Sequence, residues 1–322
     1  MSLIHVAVGV VRRHGGDGPE VLVARRPDHL HQGGLLEFPG GKVEPSEGVA
    51  SALCRELAEE TGLEVHPETL NPLIQIHHDY GDREVLLDVW ETDAFSGKPE
   101  GLEGQPVFWM PITELRDEAF PVANRPIIRS LRLPEYALVT GPGLDTLSSK
   151  HFSAMLAGRK PALCVIRIPE LSRTEYLLRF RELGSFCSQA GHLPLVHGAP
   201  AEWADAVGAG GLHMPWSEAA QCTERPVDEH CWLGVSCHDA EQLAHAQRIG
   251  ADYAFLSPLR HTASHPERAP LGAERFAALV RGAALPVYAL GGLGENDLAE
   301  VKVLGGQGVA GIGFWWDYKS SS

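Results

Sequence analysis

From residue 136 onward, short apolar runs alternate with longer amphipathic stretches, and eight such runs follow one another: YALVTG, ALCVIRI, LPLVHG, GLHM, LGVSCH, YAFLSPL, PVYALGG and GVAGIGF. Runs this short and this continuously apolar fit strands covered on both faces, as in a parallel sheet. The stretches between them, such as Arg173 to Ala190 and Asp239 to Ile249, carry helical spacing. Strand–helix alternation repeated eight times predicts a (β/α)₈ TIM barrel, because parallel neighbours need a crossover and a helix supplies it. Glycines at Gly291-Gly292 and from Gly311 to Gly313 follow the seventh and eighth strands, where barrels hold phosphate on backbone N–H groups. On glycine alone, a strand-end turn carries nearly equal weight.

A chain of 322 residues is long for one domain and natural for two, each burying its own core. The expected division is residues 1–132 and residues 136–318. In the first part, Ile4 to Val11 and Glu20 to Ala24 read as a hairpin across GGDG. Strands are expected near Leu73 to His77, Glu84 to Thr92 and Pro106 to Met110, with a short helical segment from Ile112 to Glu118.

Between them lies GKVEPSEGVASALCRELAEETGL, Gly41 to Leu63. Ser46 is placed to cap a helix beginning at Glu47, and Gly62 to end it in the left-handed conformation. Val49, Leu53 and Leu57 give the buried stripe, so Glu56, Glu59 and Glu60 face outward over the Pro39-Gly40-Gly41 loop. Clustered carboxylates repel one another unless cations neutralise them, and oxygen-only ligands suit Mg²⁺ or Mn²⁺. An isolated acidic run would read as the solvated face of a helix. Here the seven positions Gly41, Glu47, Arg55, Glu56, Glu59, Glu60 and Gly62 stand at a spacing that chance supplies once in ~10⁹ starts.

The formal net charge of −15 argues against a protein that grips nucleic-acid polymer. An anionic small substrate stays compatible, since metal ions and a few arginines reverse the field locally. The six cysteines lack CxxC spacing, so neither zinc nor a disulfide framework is expected. The N-terminal run IHVAVGVVRR is too short and polar for a signal peptide, and no apolar run reaches membrane-spanning length. A cytoplasmic protein without membrane partners is expected.

The seven spaced positions match the Nudix box, and the first part resembles the Nudix hydrolases throughout. That resemblance implies an α/β sandwich and metal-dependent cleavage of a nucleoside diphosphate linked to another group. ARRPDHLHQGGLLEFPGG, DREVLLDVW, LEGQPVFWM and FPVANRPII narrow the likeness to the MutT type, which hydrolyses oxidised guanine nucleotides. It implies Glu56, Glu59, Glu60 and Glu103 as catalytic and metal-binding groups, with the Gly40 carbonyl completing the metal set. Either Glu56 or Glu103 is the general base, and Arg55 orients the acids. Arg26, His31, Glu37, Phe38, Arg83 and Asn124 match positions around the nucleotide. Asn124 carries both an amide donor and a carbonyl acceptor, so it can meet the O6 and N7–H of 8-oxoguanine at once. Unmodified guanine offers two acceptors and leaves one polar group unpaired. Taken singly, Arg26 reads equally as a surface arginine, Phe38 as a core aromatic and Asn124 as a helix cap.

The second part resembles the thiamine phosphate synthase and TenI family from about Tyr136 to Trp316, through GLHM, WLGVSCHDAEQLAHAQRIGADYAFLSPL and LPVYALGGLGENDLAEVKVLGGQGVAGI. Thr262, Ser264, Gly292, Ile312 and Gly313 match the thiazole-phosphate positions, and Ser236 one beside the pyrimidine. The departures fall on the diphosphate: His197-Gly198 replace an Asn-Asp pair, Glu218 a metal-binding aspartate, His265 a lysine, and Ile166 and Glu170 a glutamine and a lysine. Pro258 stands where aromatising relatives carry a histidine, with His261 nearby.

Together these features imply an Mg²⁺-dependent 8-oxo-dGTP diphosphatase yielding 8-oxo-dGMP and pyrophosphate, fused to a barrel lacking full synthase activity. A hydrolase of thiamine-pathway diphosphates is the alternative, and a barrel that only senses a thiazole or thiamine phosphate is another.

Overall fold

Alternating apolar residues make β1 (Leu3–Gly15) the centre of the first sheet, with Val8, Val10 and Val11 buried. A tight turn returns the chain as β2 (Gly18–Arg25), antiparallel, with Gly15 opposite Gly18. Then come β3 (Leu36–Glu37), β4 (Gly40–Lys42), β5 (Asn71–Asp79), β6 (Glu84–Thr92) and β7 (Val107–Pro111). The sheet order is β3-β2-β1-β6-β5, with β4 paired to β1 and β7 to β2. Only β1 and β6 run parallel, which makes the sheet mixed. The computed structural model describes residues 3–16, 18–28, 32–81, 83–198, 208–262 and 268–316. Contacts divide the chain into Met1–Arg132 and Leu133–Ser322.

Helix α1 (Val49–Thr61) packs on β1 through Leu53 and Leu57, both fully buried. Gly9 permits the approach, because a Cβ there would lie 3.1 Å from Leu53 and 3.2 Å from Leu57. Gly62 ends α1 at φ 69°, donating its N–H to the Ala58 carbonyl. The start differs from expectation: α1 begins at Val49, not Glu47, and Gly48 rather than Ser46 is the N-cap. Ser46 is exposed with φ 71°, inside a turn closed by the Glu47 N–H to the Glu44 carbonyl at 3.1 Å. That turn keeps Glu47 out of the helix and aims its carboxylate back at Arg55. Phe120 and the short turn Val122–Asn124 lead into α2 (Arg125–Arg132).

In the second unit the eight expected strands are β8 (Tyr136–Val139), β9 (Ala162–Ile166), β10 (Leu193–His197), β11 (Gly211–Met214), β12 (Trp232–Cys237), β13 (Tyr253–Leu256), β14 (Val287–Leu290) and β15 (Gly308–Gly311). All pair in parallel, and β15 closes on β8. Ala137, Leu163, Val165, Leu195, Tyr253, Phe255 and Tyr288 fill the interior. Alternate residues such as Leu138, Cys164 and Ile166 face the helical layer, which includes Phe152, Phe180 and Phe276. Two crossover helices carry the caps their sequences offer: Ser172 and Glu175 form a capping box on Arg173–Gln189, and Asp239 accepts the Gln242 N–H ahead of Ala240–Arg248. Among the described residues no helix is long and apolar enough to cross a membrane.

Candidate active site

Two glycines hold the acids of α1 against the sheet. Gly40 and Gly41 pair with Val8 and Ala7 of β1. Gly40 has φ 148°, and a Cβ there would stand 2.2 Å from the Ala7 carbonyl oxygen. At Gly41 a Cβ would stand 2.2 Å from the carboxyl carbon of Glu56. The absent side chains thus let Glu56 lie over β4 and let the Gly40 N–H donate to Glu60 Oε2 at 3.1 Å.

Burial pushes the Glu60 carboxyl up to about 7, and the charges of Glu37, Glu103 and Glu56 push the same way against the Gly40 N–H. Four carboxylates therefore share one electrostatic environment, although they come from β3, α1 and the loop before β7. Gln105 brings the loop in: its side chain donates to the Glu60 carbonyl at 3.1 Å and accepts the Glu103 N–H at 3.0 Å. The Leu102 N–H adds a bond to the same carbonyl at 3.0 Å. Sequence reasoning quotes Gln105 within LEGQP without giving it this task.

Arg55 gathers the remaining acids. Its Nε and Nη2 meet both oxygens of Glu47 at 3.1 and 3.0 Å, and Nη1 reaches Glu56 at 2.8 Å and Glu59 at 3.1 Å. Nη2 also donates to the Lys42 carbonyl at 3.2 Å. These bonds hold the guanidinium charged and fix the direction of Glu56. Glu59 is exposed beside them.

Among the described residues no three acids or imidazoles stand as a preassembled metal cage. The donor set nonetheless fits a hard divalent ion: it is all oxygen, burial and then the neighbouring acids raise Glu60, and Mg²⁺ keeps several waters and shares its shell with substrate phosphates.

The residues expected around a nucleotide form a second group. Arg26 is ion-paired with Glu37, whose carboxyl is raised by burial against the pull of that arginine. Tyr80, which sequence reasoning missed, is pushed up by burial while the charges of Arg26 and Arg83 both lower it. Phe38 is 4% exposed and stacks on Phe120 with centroids 5.3 Å apart. It is thus mainly a core ring, one that ties the segment bearing Asn124 to the one bearing Glu37. Asn124 is half-buried, and among the described residues its side-chain amide makes no hydrogen bond. His31 lies outside the described residues.

In the barrel, Gly291 and Gly292 have φ 106° and 69°, and a Cβ on Gly292 would meet the His261 carbonyl oxygen at 2.6 Å. Arg260 anchors this loop pair through Asp297 at 3.0 Å and Glu300 at 2.6 Å. Ile312 is partly buried, Gly313 borders open space, and Thr262 ends a described segment. Ser264 and His265 lie outside the described residues. A cavity of about 440 Å³ at the ends of β9, β10 and β11 is lined by Arg167, Tyr176, His197, Gly198 and Glu218. Burial and then Arg167 bring His197 down to about 4, so the imidazole is neutral at pH 7. Inside the barrel His213 bridges Ser236 Oγ at 2.9 Å and the Tyr253 hydroxyl at 3.1 Å.

Comparison with known proteins separates the same two parts. Residues 7–130 match the NUDIX domain model, and residues 136–313 match the model described as thiamine monophosphate synthase. Over 132 residues the chain is 36% identical to an 8-oxo-dGTP diphosphatase of Escherichia coli strain K12, covering 41% of this chain and 98% of that protein. A CTP pyrophosphohydrolase of the same organism is 33% identical over 131 residues, 40% of this chain and 92% of the relative. A putative thiamine-phosphate synthase 2 of Aquifex aeolicus strain VF5 is 35% identical over 107 residues, 33% of this chain and 58% of the relative. The chain therefore belongs to two families at once, a Nudix hydrolase in its first unit and a member of the thiamine monophosphate synthase family in its second.

Proposed function

We propose that the Nudix unit is an 8-oxo-dGTP diphosphatase: water attacks one phosphorus, the P–O–P bond breaks, and 8-oxo-dGMP and pyrophosphate leave. The observation that carries this reading is the convergence of Glu37, Glu56, Glu60 and Glu103 over the Gly40-Gly41 strand. Similarity over 98% of a diphosphatase of that specificity supports it. Glu56, Glu59, Glu60, Glu103 and the Gly40 carbonyl are the ligands we assign to Mg²⁺ or Mn²⁺. Such an ion supplies neutralisation of the phosphates and a water of lowered pKa. Glu103 makes no hydrogen bond through its carboxylate among the described residues, whereas Glu56 is engaged by Arg55. Glu103 is accordingly the better proton acceptor for the attacking water. Arg26 and Arg83 face the nucleotide from the Tyr80 side, and Asn124 offers its uncommitted amide to the base.

For the barrel we propose phosphate-ester binding without coupling chemistry. Thr262, Ser264, Gly292, Ile312 and Gly313 are the residues we assign to a thiazole or thiamine monophosphate. The cavity at the ends of β9 to β11 presents one arginine, a neutral histidine and Glu218, a poor set for a departing diphosphate and its metal. A hydrolase for thiamine-pathway diphosphates is the second reading, favoured by the fusion itself. Pyrophosphate or phosphate release measured with 8-oxo-dGTP, dGTP, CTP and pyrimidine and thiamine diphosphates separates the readings. Preference for 8-oxo-dGTP, abolished by EDTA and restored by Mg²⁺, is the expected result. Preference for a thiamine-pathway diphosphate promotes the second reading.

A further inference from the structure

The outer wall of the barrel carries a cavity that neither the hydrolase site nor the strand ends account for. Along β8, Ala137 and Val139 turn inward among the barrel's central rings, whereas Tyr136 and Leu138 turn outward to the helical layer. After β15 the described chain makes only turns from Ile312 to Trp316. Over the outer face of β8 opens a cavity of about 900 Å³, floored by Tyr136, Leu138, Met155 and Trp315. Its volume falls within the range of small-molecule sites, roughly 300–1,000 Å³.

The rim is as informative as the floor. Lys150, Arg159 and Lys160 line it, and the one lining acid, Glu295, is paired to Arg159 at 2.6 Å. Lys160 Nζ stands 5.6 Å from the centroid of the Tyr136 ring. Lys150 has no ion-pair partner among the described residues. Two cations are thus left without an acid, in a chain with 42 Asp and Glu against 27 Lys and Arg. Scattered surface lysines are ordinarily solvated and mean nothing. Here they stand over a floor to which the half-buried Met155 and the 9%-exposed Tyr136 offer surface, with Leu138 and Trp315 packed beneath. A methionine and a tyrosine ring beneath unneutralised ammonium groups suit a ligand with a flat ring at one end and an anion at the other.

We propose that this outer-wall cavity binds a small aromatic anion of about mononucleotide size, its ring against Tyr136 and Met155 and its phosphate or carboxylate on Lys150 and Lys160. Neither Gly292 nor Gly313 lines the site, although Glu295 and Trp315, further along the segments after β14 and β15, do.

The test is calorimetric titration of the full chain in EDTA, which suppresses metal-dependent nucleotide binding in the Nudix unit. The probes are flavin mononucleotide, guanosine monophosphate and indole-3-acetate, with riboflavin and guanosine as their uncharged counterparts. At least one anionic probe should bind at one site per chain, phosphate and carboxylate arms showing which anion is preferred. Combined Lys150→Glu and Lys160→Glu should weaken it by about tenfold or more, and Met155→Trp, which fills the floor, should weaken it too. Lys98→Glu, a charge reversal on an exposed lysine of the other unit, should leave binding unchanged. Both rim lysines are exposed, so the double variant should retain its far-ultraviolet circular dichroism. No binding by any anionic probe overturns the proposal. So does binding indifferent to the two lysine changes, or equally tight binding of the uncharged counterparts.

Discussion

Arg55 shows how one side chain sets the charge pattern of the Nudix site. It takes both oxygens of Glu47 and one each of Glu56 and Glu59, leaving Glu60 to the Gly40 N–H and to the neighbouring acids. Glu60→Gln keeps an oxygen to accept that N–H, so the fold should survive while the anionic ligand is lost. Turnover should drop by about 10²-fold or more with an unchanged melting temperature; undiminished pyrophosphate release would remove Glu60 from the reaction. Asn124 carries the base specificity in the proposed site. Asn124→Ala should cost about 1–3 kcal/mol of discrimination, read as a larger loss in kcat/KM for 8-oxo-dGTP than for dGTP. Equal losses would reduce Asn124 to a structural residue.

His197 gives a pH dependence with a definite sign. Its folded pKa of about 4 lies below the ordinary 6.5, because burial and then Arg167 oppose its charge. The unfolded chain therefore takes up a proton between pH 6.5 and 4 that the folded barrel refuses. Its contribution to stability is complete above pH 6.5 and declines as the pH falls toward 4. Thermal unfolding from pH 7 to 4.5 should show a smaller loss of melting temperature for His197→Gln than for wild type. Parallel losses would mean that the imidazole is free to charge in the fold.

At the scale of elements, the β4–α1 contact decides whether the acids reach the sheet. Gly41→Ala places a methyl group on the Glu56 carboxyl, 2.2 Å away, and Glu56 must swing off β4. Hydrolysis should fall by at least about tenfold with only a small change in stability, because Glu56 is a flexible side chain. Gly40→Ala meets backbone instead and should be detected first as lost stability. Which parts of this were legible in the sequence follows from the range of the forces involved. Leu53 and Leu57 announce α1 by helical spacing, and eight apolar runs announce the barrel strands, because burial repeats with the local backbone period. The start of α1 is not legible, because Ser46 looks like a cap while the turn Glu44–Glu47 is committed to Arg55 across eight residues. Tyr80 and Gln105 carry no local signal at all. Their parts arise from contacts with Arg26 and with the end of α1, which only the folded sheet brings together.

For the whole molecule, a net charge of −15 is compatible with the two anionic ligand classes proposed for it through local fields: in the proposed sites, divalent ions over the box, and arginines and lysines elsewhere. Each unit also has core clusters of its own. The cluster built on Leu22, Leu53 and Leu57 draws only on the first 132 residues, and the two barrel clusters begin at Leu133 and Tyr136. A domain with its own closed core folds without its neighbour. The segment Met1–Arg132 made alone should therefore fold cooperatively and hydrolyse 8-oxo-dGTP with a kcat/KM within about threefold of the full chain, a difference of less than ~1 kcal/mol. Incubation of the full chain with thiazole phosphate, pyrimidine diphosphate and Mg²⁺ should meanwhile yield no thiamine phosphate above background. A segment that folds yet hydrolyses far more slowly would mean that the barrel contributes to the Nudix reaction. Thiamine phosphate formed at an enzymatic rate would restore to the barrel the coupling chemistry that His197-Gly198, Ile166 and Glu170 argue against.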